Sequence, residues 1–238
     1  DGNVTMAGTL TVGGAFTSLG IDDNADATAI TIGSDEVVDF ASNADFIDGR
    51  GIRLGNGNDF QLYHDGTNNY INGTTSTNML FLTNGTERMR IDSTGAVTMP
   101  LQPAFCVHPA TTQSNLAVGS NVTIVFGTER IDQNADFASN TFTAPVTGRY
   151  HFDACIRYDD PDNAAAYHQL VLTTSNKSYP VTFDLGILAG DPDYWMFNIN
   201  VLADMDASDT AYLHFYQNGG AATTDIVPDA FFSGYLVA

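Results

Sequence analysis

Wherever side-chain polarity repeats in this chain it repeats every two residues, and that constrains the fold more than any other feature. The clearest run starts at Tyr150. Tyr150, Phe152, Ala154 and Ile156 fall on one side, and His151, Asp153, Cys155 and Arg157 on the other. A period of two belongs to a half-buried strand of an antiparallel sheet. No segment carries a convincing 3.6-residue period, so the fold class is expected to be all-β. Turn chemistry agrees: Asp65-Gly66, Asn72-Gly73 and Asn84-Gly85 each suit a tight hairpin, because these residue types tolerate positive φ.

The texture changes near Met99-Pro100-Leu101-Gln102-Pro103. Before that point aromatics are few and Gly, Asn, Asp and Thr are many. After it come most of the Phe and Tyr residues, the single tryptophan, Trp195, and the single lysine, Lys177. Two parts are therefore expected, residues 1–100 and 101–238. The second is long enough to bury its own core, while the first is too thin to do so alone.

Short tiles recur in the first part. Gly2-Asn3-Val4-Thr5-Met6, Gly8-Thr9-Leu10-Thr11-Val12 and Gly95-Ala96-Val97-Thr98-Met99 share one formula: Gly, any residue, aliphatic, Thr, aliphatic. Between them lie strand-like runs at 29–32, 60–64, 78–82 and 88–91. Strands this short, with two or three apolar residues each, bury no core within one chain. Three chains wound about an axis would pool those residues centrally, which is the logic of a solenoid applied to a fibre. A small independent sandwich is the alternative.

The net charge is −20, from 28 acidic and 8 basic residues. It is spread over both parts, so no basic face exists for nucleic acid, and an anionic membrane surface would repel the chain. Such a surface reads as solvated, and it favours solubility and bound cations. No apolar run reaches transmembrane length, and membrane insertion is not expected. The chain opens in mid-pattern at Asp1-Gly2-Asn3-Val4 with no basic-then-apolar leader, which reads as a fragment of a longer protein. Cys106 and Cys155 show no zinc spacing. They read either as two small buried thiols or as a disulfide.

Two blocks in the second part go together. One is Phe142-Thr143-Ala144-Pro145-Val146-Thr147-Gly148-Arg149-Tyr150-His151-Phe152, and the other is the terminal Phe232-Ser233-Gly234-Tyr235-Leu236. Pro145 suits a turn that ends a strand, and Gly148 is expected to supply a backbone conformation closed to other residues. The blocks resemble the two signatures of the C1q-like domain, the jelly-roll head of the complement and tumour-necrosis-factor superfamily. The resemblance covers about 103–238. It implies an antiparallel jelly-roll sandwich, a homotrimer, and a recognition module with no enzymatic activity. No nucleophile elbow, phosphate loop or zinc-protease motif stands against the last point.

A second resemblance covers roughly 60–99. Leu62-Tyr63-His64-Asp65-Gly66-Thr67-Asn68-Asn69-Tyr70-Ile71 and Thr86-Glu87-Arg88-Met89-Arg90-Ile91-Asp92, with Gly95, resemble tiles of bacteriophage tail-fibre shafts. They imply a short-strand, intertwined trimeric shaft, a virion location outside the cell after synthesis in the host cytoplasm, and other tail proteins as neighbours. The implied partner is a host cell-surface polysaccharide or an outer-membrane protein. A virion head or neck decoration fibre, and a bacterial surface filament with a C1q-like tip, are the alternatives.

Within the head, strands are expected near 104–108, 122–126, 140–143, 149–158, 167–174, 180–184, 195–203, 210–217 and 231–237, with long connections at 158–166, 185–194 and 218–230. Asp184, Asp191 and Asp193 are the metal candidates. Acidic loops supply the oxygens Ca2+ takes, and Thr182-Phe183-Asp184 followed by Asp191 resembles a calcium arrangement in some C1q-like trimers. Asp159, Asp160 and Asp162 crowd one loop, as a solvated turn or a cation site. Asp206 and Asp209 read as turn formers. The five histidines read as ordinary strand residues. Tyr158, Tyr167, Tyr179 and Tyr194 are the receptor-binding candidates, since exposed rings stack on sugars or anchor a protein contact. Core or subunit packing is the alternative for these and for Trp195.

Overall fold

The computed structural model describes residues 45–75 and 77–238. The tiles at 2–6 and 8–12 and the run at 29–32 lie outside the described residues. The chain divides into two units, the second beginning at Gly73.

In the first unit β1 (Gly51–Leu54), β2 (Phe60–His64) and β3 (Asn69–Gly73, its last residue opening the second unit) form a three-stranded sheet. Ile52 pairs with Leu62 and Leu54 with Phe60, so one face is apolar, and Ile52 and Leu54 stay exposed on it. The β2–β3 loop is built by Asp65. Its carboxylate accepts hydrogen bonds from Thr67 N (2.8 Å), Asn68 N (2.7 Å) and Tyr70 Oη (2.8 Å). These donors, Asn68 first, hold its pKa below the ordinary value. Tyr70 in turn stacks on Tyr63 at 4.6 Å.

The second unit opens with β4 (Met79–Thr83), β5 (Thr86–Ile91) and β6 (Val97–Thr98), another three-stranded sheet. Asn84-Gly85 turns β4 into β5 with φ of 50° and 72°, the pair of positive values a tight hairpin needs. Asn72-Gly73 instead ends β3 as strand, because β3 and β4 belong to different sheets and no hairpin joins them. Glu87 and Arg90 form a two-point ion pair (2.9 and 2.6 Å). Asp92 accepts from Thr94 N and Ala96 N, which shapes the turn at Gly95 (φ 93°).

The rest is a sandwich of β7 (Ala104–His108), β8 (Val122–Thr123), β9 (Thr128–Asp132), β10 (Phe137–Ala138), β11 (Thr141–Thr143), β12 (Gly148–Asp159), β13 (Tyr167–Thr174), β14 (Ser178–Phe183), β15 (Tyr194–Met205), β16 (Thr210–Asn218), β17 (Asp225–Ile226) and β18 (Phe231–Leu236). One sheet runs β15-β12-β18-β7-β9, with β17 also on β12. The other runs β10-β11-β16-β13-β14, with β8 also on β16. All pairings in both sheets are antiparallel. β13 and β14 form a hairpin within one sheet, whereas the chain crosses between the sheets from β12 to β13, β14 to β15, β15 to β16 and β16 to β17, as in a jelly roll.

Between the sheets lies an aromatic core. The Phe105 ring meets Phe142 and Phe232 at 4.9 Å and Phe137 at 5.1 Å, and all four are buried. Tyr150, Phe152, Ala154, Ile156 and Tyr158 alternate inward along β12 and are buried. Here one glycine from each signature block finds its reason. A Cβ at Gly234 would stand 2.6 Å from Phe152 Cδ1 and 2.7 Å from Phe105 Cε1. Gly148 has no positive φ, contrary to the expectation. A Cβ there would lie 2.6 Å from Leu236 Cδ1 and 2.7 Å from the Ala238 carbonyl oxygen, so close packing against the last strand, not backbone strain, requires glycine.

The segment 99–102 that leads into the sandwich, its neck, is fastened to it by side-chain amides. Gln133 Nε2 donates to the carbonyls of Met99 (2.9 Å) and Gln102 (2.7 Å), and Asn134 Nδ2 donates to that of Leu101 (3.1 Å). This fixes which end of the sandwich faces the neck.

Candidate functional site

The long connections expected from sequence gather at the end away from the neck. The β12–β13 and β16–β17 loops are joined there by one buried carboxylate. Asp162 accepts from Ala164 N at 2.8 Å and, in a very short contact, from Ala221 N. Gly220 has a φ of 76°, and a Cβ on it would press on Asp162 Oδ2. Gln217 is fully buried beneath and donates to the carbonyls of Gly219 and Ala221 while accepting from Thr224. Asp162 is thus a loop fastener, and its two backbone donors, Ala221 first, hold its pKa below the ordinary carboxylate value. Asp159 is taken up by Arg157, which it meets at 2.8 and 3.2 Å, and Arg157 also reaches Asp229 at 2.9 Å.

The metal candidates have separate local jobs. Asp184 caps the single 3-10 turn, Leu185–Ile187, by accepting from Gly186 N at 2.8 Å. Asp191 accepts from Asn163 N at 2.8 Å, and the Asp193 carbonyl accepts from Asp160 N at 3.0 Å. Among the described residues no group of three or more His, Cys, Asp or Glu side chains is placed to hold a metal. Asp206 and Asp209 build the β15–β16 turn, where Asp209 accepts from Asp206 N at 2.9 Å and from Asn176 Nδ2 at 2.8 Å.

The four tyrosines separate. Tyr158 is fully buried between Phe197 and Phe215 (5.0 and 4.9 Å), and burial lifts its hydroxyl pKa well above the ordinary value. It is a core residue, because it continues the inward face of β12, and it is removed from the receptor-binding set. Tyr194 is 60% exposed with Arg157 over its ring at 5.0 Å. Tyr167 is partly exposed and stacks on Tyr216 at 5.9 Å. Tyr179 lies under Lys177 beside the β13–β14 turn, at the end near the neck. Trp195 is partly buried against Phe183 at 4.6 Å.

The outer faces of the two sheets differ in chemistry. On the β12 sheet, Met196, Leu202, Tyr235 and Ile131 are between 46% and 57% exposed. Leu202 and Tyr235 flank His151 in register. Cys106 and Cys155 also lie on this face, with β18 between their strands and a two-residue offset in register, so their Cα atoms are roughly 12 Å apart. That is beyond disulfide reach, and both are free. Burial raises both thiol pKa values.

The β16 sheet presents Tyr212, His214 and Tyr216 in a line along one strand, beside Gln169 and Thr173 of β13 and Thr182 of β14. Gln169 Nε2 donates to Thr182 Oγ1 at 2.8 Å, and Thr173 Oγ1 lies 3.4 Å from His214 Nδ1. Sequence reading singled out Tyr167 here and missed Tyr212 and Tyr216. The alternation of Tyr212, His214 and Tyr216 against Leu213 and Phe215 was the available signal.

Compared with known proteins, the chain matches no protein-family model and no curated protein sequence. Among solved structures it is similar to the globular domain of zebrafish complement 1qA protein, at 19% identity and a TM-score of 0.43, covering 58% of this chain and 98% of that one. It is also similar to murine APRIL in crystals at pH 8.0 and pH 8.5. Identities there are 9% and 8%, the TM-score is 0.42, and 57% of this chain and 99% of that one are covered.

Proposed function

We propose that this chain is the distal part of a homotrimeric bacteriophage tail fibre, whose C-terminal head adheres to the host surface. By role, residues 1–100 are the intertwined shaft and 101–238 the head. The observation that carries the homotrimer is the outer face of the β12 sheet. Leu202 and Tyr235 stand exposed there on either side of His151, an apolar pair placed to pack against a second copy of the chain. The open apolar face of β1 and β2 supports the same association in the shaft. The tail-fibre role rests on the tiles at 62–71 and 86–95.

Adhesion is multivalent in this reading. Three equivalent sites per tip, and several fibres per virion, raise avidity by effective concentration. The reading is of a binding module, not an enzyme. Host polysaccharide or an outer-membrane protein is the partner, and other tail proteins hold the proximal end. Calcium enters only as an ion shared between chains by Asp184, Asp191 and Asp193. A melting temperature lowered by EGTA would support it, and an unchanged one would remove it.

The test of the reading is adsorption of the full chain to bacterial cells. Saturable binding by a trimer, competing with intact phage-type fibres of the same sequence, is expected. A chain that adsorbs to no cell type would contradict the adhesive role.

A further inference from the structure

We propose that the outer face of the β16 sheet is a platform for a neutral glycan. The inference rests on the adhesive reading of the head and names its site and ligand class.

The first ground is charge. On a chain of net charge −20, no outward position of β13, β14 or β16 carries Asp, Glu, Lys or Arg. An anionic polysaccharide would find no cation on this face while crossing the repulsive field of the rest of the head. A neutral one meets neither penalty.

The second ground is shape. Tyr212 and Tyr216 face outward along β16 and are partly exposed, with the buried His214 between them, so two rings stand about 13 Å apart along the strand. Tyr167 extends the pair sideways through its stack on Tyr216. Tyrosine offers an apolar ring to the C–H face of a sugar and a hydroxyl to its rim. The neighbours are short polar groups on a rigid sheet, among them Gln169, Thr173 and Thr182, the kind of convergent donors and acceptors that orient a ligand.

The third ground separates this face from the other. None of the exposed large hydrophobic residues among those described lies on β13, β14 or β16. The surface is aromatic and polar without being greasy, so a hydrated partner fits it better than a second copy of the chain.

The test uses the full chain on an array of neutral oligosaccharides built from glucose, mannose and galactose, beside polyuronates and sialylated glycans. Binding to at least one neutral class and none to the acidic ones is expected. Tyr212→Ala and Tyr216→Ala should each weaken it at least tenfold, Tyr216→Phe should retain it, and Tyr179→Ala should leave it unchanged. Thermal melting checks that each variant is folded, and Tyr216→Phe serves as the fold-preserving comparison. Binding that survives both alanine substitutions, binding to acidic glycans only, or adsorption to cells with no glycan bound would overturn the inference while leaving the adhesive reading intact. Failure to bind any glycan or any cell would sink both.

Discussion

The two outer faces of the sandwich are made by strands of similar length and pairing, yet they are chemically opposite. The β12 face exposes Leu202, Met196, Ile131 and Tyr235 and mixes them with His151, Asp153 and Arg157. The β16 face exposes rings and hydroxyls with no charge. The shared core sets which residues point inward on both, since alternation is a property of the strand. What points outward is free to differ, and that is where role is written. One face is suited to another copy of the chain and the other to a hydrated ligand.

The largest expected effect breaks both faces together. Phe232 is fully buried and touches Phe105 from one sheet and Phe126 and Phe137 near the other. Phe232→Ala should cost about 3–5 kcal/mol in chemical denaturation, the range for a buried phenylalanine. Equal loss of trimer and ligand binding is expected, because neither face survives without the core.

Next in size is a change that breaks one face alone. Leu202→Glu places a charge on the apolar face without touching the core. Trimer dissociation should rise at least a hundredfold in dilution series followed by light scattering, which corresponds to about 2.8 kcal/mol. An unchanged trimer would move the subunit contact off this face.

Acid should sharpen the difference between the sheets. His168 on β13 is fully buried, and neither ring nitrogen has a hydrogen-bond partner among the described residues. Burial lowers its pKa, opposed in part by the negative charge of Asp162. Burial also lowers that of His214 on β16. A folded pKa below the unfolded value of about 6.5 means the unfolded chain takes up the proton first. Stability is therefore complete above that value and is lost as pH falls through it toward the folded pKa. Asp162 adds its own loss only at lower pH, below its ordinary carboxylate range. Hydrogen exchange at pH 7 and pH 5 should show β13 and β16 loosening before β12 and β18. Uniform behaviour of both sheets would contradict this.

The smallest effect is a null one. The natural chain should melt at the same temperature in oxidising and reducing buffers, since β18 separates Cys106 and Cys155; a higher melting temperature in oxidising buffer would contradict this.

Much of the fold was legible in the sequence. The inward set along β12 followed from alternation alone, and β7 and β13 fall where the pattern placed them. The strands β9, β10 and β17 were not foreseen. β10 and β17 are two residues long, too short to show a period, and β9 alternates weakly because nearly all of it is exposed. Gly148 was tied to backbone freedom when its constraint is contact with Leu236 and Ala238, residues ninety positions away in effect and invisible to local reasoning. The candidate site was half legible. Tyr167 was found, but Tyr158 looked like a strand-end ring and is core, because β12 runs one residue further than its pattern suggested. Tyr212 and Tyr216 were marked by alternation with Leu213 and Phe215, but their polar neighbours Thr173 and Gln169 come only from the strand register.

The mass of the full chain in dilute solution by light scattering tests the central claim most directly. Three times the chain mass of 25.5 kDa is expected for the natural sequence, and 25.5 kDa for Leu202→Glu at the same concentration. A natural chain that stays at 25.5 kDa at every concentration would contradict both the trimer and the assignment of the β12 face to it.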